Sequence, residues 1–206
     1  MSVKISVVVP VFNREKYIAR CLRSLLNQSI PRKDYELIVV NDGSDDKTNQ
    51  ILDFFQDVFR EEIKVIENEK NLGLPASLNI GINSSKGKYI VRVDSDDYVN
   101  KNFLLILYLM VSLNSTYAAI ACDYYLVDDK EKIIEQINCD KKPIGCGIIF
   151  EISHMKSVGL YNKNYLINED REFRERFEKK YFIKRLPLPL YRYRRHSKNM
   201  TNKNEK

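Results

Sequence analysis

The sequence predicts an α/β fold, an open and mainly parallel sheet flanked by helices on both faces. Three observations carry this expectation. Unbroken apolar runs such as Val7-Val8-Val9 and Leu37-Ile38-Val39-Val40 suit strands buried on both faces, as in parallel sheets. Segments with apolar residues at helical spacing stand between those runs, so strand and helix alternate. Asp-rich loops follow the strands, at the sheet edge where such folds bind ligands.

Ser2 to Val11 reads as the first strand, and Glu15 to Gln28 as a helix with Tyr17, Ile18, Cys21, Leu22, Leu25 and Leu26 on one face. Asn13 is placed to cap it. Tyr35 to Val40 is the second strand, followed by Asn41-Asp42-Gly43-Ser44-Asp45-Asp46 and a helix over Lys47 to Phe59 that Ser44 or Asp45 would cap. Ile63 to Glu67 is a short third strand. Pro75 then opens a helix reaching Asn83, and Lys88 to Asp94 is the fourth strand.

Beyond Asp97 the alternation fails, and a smaller mixed β/α portion is expected. Phe103 to Leu113 reads as a buried helix, and Tyr117 to Val127 as a strand with Ile133 to Ile137 as its hairpin partner. Ile148 to Ile152 is a further strand, with a short helix near His154 to Val158. Asn168 to Lys180 is helical with Phe173 and Phe177 inward. Tyr181 to Leu186 and Leu188 to Tyr193 read as edge strands because of Pro187 and Pro189.

With 206 residues and 44% apolar composition, the chain can bury one substantial core, as one continuous domain. Seven Gly and six Pro exclude a fibrous or disordered protein. Cys21, Cys122, Cys139 and Cys146 form no C-x-x-C pair, which suits reduced thiols in a cytoplasmic protein, with Cys21 and Cys122 in the core. Pro10 interrupts the N-terminal apolar run, and no cleavage site follows. The longest apolar run, Phe103 to Val111, is far short of the roughly 20 residues a spanning helix needs. The formal charge of +6 is concentrated at the end, where Lys179 to Lys206 carries +9 and the rest −3. Such a tail suits phosphates, an anionic bilayer or nucleic acid.

The stretch Tyr89-Ile90-Val91-Arg92-Val93-Asp94-Ser95-Asp96-Asp97-Tyr98 turns from a strand into three carboxylates within four residues. A turn alone explains Asp and Ser there. Three carboxylates repel one another unless a cation sits among them, which favours a metal site. Neither G-x-G-x-x-G nor G-x-x-x-x-G-K-[ST] is present, so a bound phosphate would rely on a cation.

Five segments in order resemble the family 2 glycosyltransferases of GT-A fold: Val8 to Arg14, Val40 to Asp46, Asn71-Leu72-Gly73, Asp94-Ser95-Asp96-Asp97 and Asn168-Glu169-Asp170. The resemblance covers roughly residues 3 to 197. It implies that residues 1–97 bind a nucleotide-sugar and 98–206 an acceptor. Pro10, Val11, Phe12 and Asn13 would line the base, and Asp42 would accept a hydrogen bond from it. Asp94, with Ser95, would sit near the ribose, Asp94 also near the metal, and Asp96 would ligate Mn²⁺ or Mg²⁺ on the diphosphate. Asp170, or else Glu169, would be the general base of an inverting transfer, although acids at a helix N-terminus are favoured whatever the function. His196 would ligate the metal or touch the diphosphate, and Arg192, Arg194 and Arg195 would add phosphate contacts.

Absence of Trp removes the Gln-x-x-Arg-Trp signature of processive members, which points to transfer of a single sugar, with UDP the favoured nucleotide. Where many relatives have a basic residue before Asn79, this chain has Leu78. The acceptor would be a carbohydrate or lipid-linked molecule in surface polysaccharide or glycolipid synthesis, handled in the cytoplasm or at the inner face of the membrane through the basic tail. Two rivals are weaker. Nucleotidyl transfer lacks its triphosphate loop, and a nucleic-acid binding module has only the tail to support it, so no nucleic-acid partner is expected.

Overall fold

The computed structural model describes residues 3–114, 116–196 and 199. One sheet runs through it in the order β3-β2-β1-β4-β8-β6-β9-β5, with β7 paired to β6. The strands are β1 (Ile5–Val11), β2 (Tyr35–Asn41), β3 (Ile63–Glu67), β4 (Tyr89–Arg92), β5 (Tyr98–Val99), β6 (Ala119–Val127), β7 (Ile133–Ile137), β8 (Ile148–Glu151) and β9 (Ile183–Arg194). The helices are α1 (Ile18–Leu26), α2 (Thr48–Val58), α3 (Leu74–Asn83), α4 (Phe103–Ser112), α5 (Ile152–Ser157) and α6 (Glu169–Glu178).

Strands β1 to β4 are parallel, as their apolar runs require. Alternate residues of β1 supply opposite faces. Ile5, Val7, Val9 and Val11 enter one core cluster with Leu22 and Leu25 of α1, Leu52 of α2 and Leu107 of α4. Val8 enters the other with Leu78 and Ile82 of α3, Met155 of α5 and Phe173 and Phe177 of α6. Helix α3 lies close on the sheet because Gly81 has no side chain: a Cβ there would stand 2.4 Å from Val8 Cγ1.

The second half is mixed. Strand β8 runs antiparallel to both β4 and β6, and β6 to β7 is the expected hairpin. One expectation is corrected, and one short strand was not foreseen. The proline-bearing segments form one strand, β9, which pairs with β6 along its length and meets β5 only at Tyr191 and Arg192, so its proline-bearing part has a strand on one side only, as expected of an edge. Its register against β6 jumps from Leu186 opposite Cys122 to Pro189 opposite Asp123, so Pro187 and Leu188 are taken up by an irregularity. The two-residue β5 carries too little pattern to be read from sequence.

Neither predicted cap is used. Asn13 has φ 52° and bonds Asp45 through its side chain, 2.7 Å from Nδ2 to Oδ1, while Asp45 N donates back to Asn13 Oδ1 at 3.0 Å. The two turns join further: Arg14 N donates to Thr48 Oγ1, Glu15 N to Asp46 Oδ2, and Lys47 N to Glu15 Oε2. Amides at the start of these helices are thus satisfied across the loops. All four cysteines are buried and free. No helix among the described residues is long and apolar enough to cross a membrane. Residues 1, 2, 115, 197, 198 and 200–206 lie outside the description, including the start of the expected first strand and the end of the basic tail.

Candidate active site

At β1 the strand order changes direction, and loops at the carboxyl ends of β1, β2 and β4 open onto one cleft of about 940 Å³. Pro10, Val11, Phe12, Arg14 and Asp42 line it from β1 and β2. Asn13, expected beside them, is not in the lining; its amide is committed to Asp45. Asp42 is buried and accepts bonds from Asn68 Nδ2 at 2.7 Å and from the backbone amides of Leu72 and Gly73 at 2.9 Å each. Its carboxylate therefore fixes the Asn71-Leu72-Gly73 loop against the cleft. Three of the four lone-pair positions on its oxygens are in use, which leaves one acceptor position.

Asp94, Ser95 and Asp96 line the next stretch. Asp96 Oδ2 takes His196 Nε2 at 3.0 Å and Arg14 Nε at 3.3 Å; Oδ1 makes neither contact. Burial works against charge on Asp96, yet the His196 hydrogen bond and the Arg14 guanidinium hold its carboxyl below the ordinary value. Asp97 points inward instead. It accepts the Tyr191 hydroxyl at 2.7 Å and the Arg194 amide at 2.7 Å, and burial, with the charges of Asp96 and Asp94, pushes its carboxyl well up.

Glu169 and Asp170, the first two residues of α6, also line the cleft. Glu169 is 5% exposed and accepts Arg92 Nη1 at 2.9 Å. Burial raises its carboxyl pKa, Arg92 lowers it, and the neighbouring Asp170 raises it, for a net upward shift. The turn at Gly145 closes on Asp170 and Arg92, since a Cβ there would meet Asp170 Cβ at 2.5 Å and Arg92 Nη1 at 2.9 Å.

The basic segment is divided. His196 reaches Asp96 and stacks on Tyr17 with ring centroids 4.7 Å apart. Arg192 donates to Pro189 O and stands over the Tyr125 ring, and Arg194 bonds Asp96 O and Glu131 Oε1. Arg195 joins the chain beside β6 through its backbone, donating to Val127 O. None of these three arginines lines the cleft; Arg14, Arg92, Arg171 and Arg174 do. His154 packs its ring at a tilt against Tyr181 and is not in the cleft lining.

Among the described residues, one group of side chains is spaced to hold a metal, Asp94, Asp97 and Cys146, with ligand atoms all within 4.8 Å. Burial pushes the Cys146 thiol well up, so it is a poor partner for a hard cation. The cleft face instead offers the carboxylates of Asp94 and Asp96, with Asp96 held ionised. That donor set suits Mg²⁺ or Mn²⁺.

The family model for glycosyl transferase family 2 matches residues 6–186. The chain belongs to this family. Family membership accounts for the order of the five segments along one sheet edge. A poly(ribitol-phosphate) beta-glucosyltransferase of Bacillus spizizenii is 46% identical over 106 residues, 51% of this chain and 17% of that protein. Among solved structures, residues 1–349 of Staphylococcus aureus TarS in complex with UDP-GlcNAc superpose with a TM-score of 0.79 at 24% identity, covering 97% of this chain and 60% of that one. The Pyrobaculum calidifontis mannosyltransferase PcManGT, in complex with GDP-Man and Mn²⁺, gives 0.78 at 16% identity, over 97% and 59%. The fold is therefore the GT-A type expected of the family. The chain spans less than two thirds of each of these proteins.

Sequence reasoning missed Arg14, Arg92 and Gly145. Arg92 left a readable trace: a lone cation in an apolar strand, two residues before Asp94 and so on the same side of it. Gly145 had none, because a glycine between loop residues does not reveal what it touches.

Proposed function

We propose that this cleft moves a single sugar from a nucleotide-sugar donor to an acceptor hydroxyl with inversion at the anomeric carbon. The observation that supports the reading is that Asp170 lines the same cleft as Asp94 and Asp96, while Glu169 beside it is tied to Arg92. Pro10, Val11 and Phe12 receive the base, the remaining acceptor position of Asp42 takes its N–H, and Asp94 with Ser95 meets the ribose. UDP is the favoured nucleotide, in keeping with the UDP-sugar bound by TarS.

Asp94 and Asp96 would hold a divalent cation, Mn²⁺ or Mg²⁺, for the donor. When bound it offsets the charge that grows on the departing nucleoside diphosphate. His196, bonded to Asp96 but not itself in the cleft lining, would ligate that ion or contact the diphosphate. Asp170 takes the proton of the acceptor hydroxyl as it attacks from the opposite side, and its charge favours the positive character developing on the sugar ring. Glu169 is the weaker candidate for the base, because the residue is buried and its carboxylate already serves Arg92.

Residues 1–97 act as the donor half and 98–206 as the acceptor half. The acceptor is a carbohydrate or lipid-linked molecule of surface polymer synthesis, in keeping with the poly(ribitol-phosphate) in the name of the Bacillus relative. The enzyme would act in the cytoplasm or, through its basic end, at the inner face of the membrane. A screen of UDP-, GDP- and dTDP-sugars with Mn²⁺, reading released nucleotide, tests the reading. Release from one donor class is expected; none from any donor contradicts it.

A further inference from the structure

Arg92 occupies a place that the transfer chemistry does not by itself require. It ends β4, its side chain is 9% exposed, and it follows Tyr89-Ile90-Val91. Nε lies 2.7 Å from Asp94 Oδ1 and Nη2 3.3 Å from Oδ2, while Nη1 lies 2.9 Å from Glu169 Oε1. One planar guanidinium thus binds a carboxylate of the donor wall with two nitrogens and the first residue of α6 with the third. The next residue of α6 is Asp170, and the Gly145 turn covers Arg92 and Asp170 together.

Stability does not explain this choice. Burying a charged cluster costs several kcal/mol of desolvation per ion, and apolar replacements of similar volume are often as stable or more so. Fixed geometry is what the cluster supplies. A fork reaches two carboxylates at set angles, whereas a lysine would bring one point charge.

We propose that Arg92 is a positioning residue that couples the two walls of the cleft, holding Asp94 for the donor and, through Glu169, Asp170 for the acceptor. The proposal rests on the glycosyl-transfer reading. Glu169 then serves as the partner of Arg92, and the two act as one link.

The test compares R92K, E169Q and R92K/E169Q with the unaltered chain, using calorimetry of UDP and of GDP with Mn²⁺, initial rates, and thermal unfolding to show that each variant is folded. E169Q should keep nucleotide affinity within about threefold while kcat falls about 10- to 100-fold, the usual range for losing such a supporting contact. R92K should lose both nucleotide affinity and kcat. The double variant should be within about threefold of R92K in kcat, because both changes cut one link. A merely structural role would lower the melting temperature and leave the rate constants of the folded variants unmoved, which overturns the proposal. Independent, multiplying losses in the double variant also overturn it. Should R92K fail to fold, E169Q decides: a selective fall in kcat supports the link, and an unchanged kcat overturns it. If the unaltered chain binds neither nucleotide with Mn²⁺, the transfer reading falls and this proposal with it. If it binds and turns over while R92K matches it, this proposal alone falls.

Discussion

A methyl group on Gly145 would stand 2.5 Å from the Cβ of Asp170, closer than two carbons can approach. The turn before β8 and the N-terminus of α6 therefore fit only while residue 145 is bare. Gly145→Ala should cost about 1–3 kcal/mol of stability as an overpacked contact. Its larger effect should be on catalysis, since a displacement of about 1 Å at a reacting group can cost a hundredfold in rate. Parallel melting and steady-state measurements check this, and an unchanged kcat in a stable variant would show that Asp170 has room to move.

Gly81→Ala isolates a packing contact away from the chemistry. Alanine improves helix propensity by about 1 kcal/mol, but its methyl would meet Val8 Cγ1 at 2.4 Å. Overpacking of about 1–3 kcal/mol should win, and the variant should unfold at lower urea than the parent. A raised midpoint would mean that α3 can lift from β1 without loss.

Asp123 gives a pH signature. Arg185 binds both of its oxygens, Nε at 2.9 Å and Nη2 at 2.6 Å, and Cys139 N donates to Oδ1 at 3.0 Å. Burial pulls the carboxyl up, but Arg185 and the Cys139 amide more than offset it and hold it below its ordinary value. The unfolded chain then takes up the proton first as pH falls. The stabilisation is present above the ordinary carboxylate value and is lost as pH drops through the lower folded one. Asp123→Asn should cost about 2 kcal/mol at neutral pH, as expected for bonds to a charged group. The difference between variant and parent should shrink below about pH 4. A constant difference from pH 7 to 3 would contradict this.

Cation removal should separate binding from fold. A chelator should abolish transfer and leave the melting temperature in place, and added Mn²⁺ should restore the rate. Asp96→Ala should weaken nucleotide binding in the presence of Mn²⁺ and change it little in its absence. Equal loss with and without the ion would place Asp96 on the nucleotide itself.

The parallel half of the fold was legible because its strands are continuous Val and Ile runs and its helices keep a clear apolar face. Limits of the second half have physical causes. Strand β5 has two residues, and the two proline-bearing segments join into one strand across a jump in register that no local pattern announces. Helix capping was misread because Asn13 and Asp45 bond each other across two loops, a pairing 32 residues apart that local rules cannot see. The acids of the site stood out as residue types, but Glu169 and Asp170 are adjacent and chemically alike. Only the long-range contact from Arg92 tells them apart. Arg192 and Arg194 looked like phosphate ligands by charge, yet the protein's own carbonyls and Glu131 occupy their guanidinium groups.

The central claim is that Asp170 removes the acceptor's proton in a cleft whose other wall binds the donor. Its most direct test is the transfer rate of Asp170→Asn beside its affinity for nucleoside diphosphate with Mn²⁺. Asparagine keeps the size and removes the base, so affinity should stay within about threefold while kcat falls at least a hundredfold, the range of general-base contributions. Transfer by Asp170→Asn at the parent's rate would contradict the account.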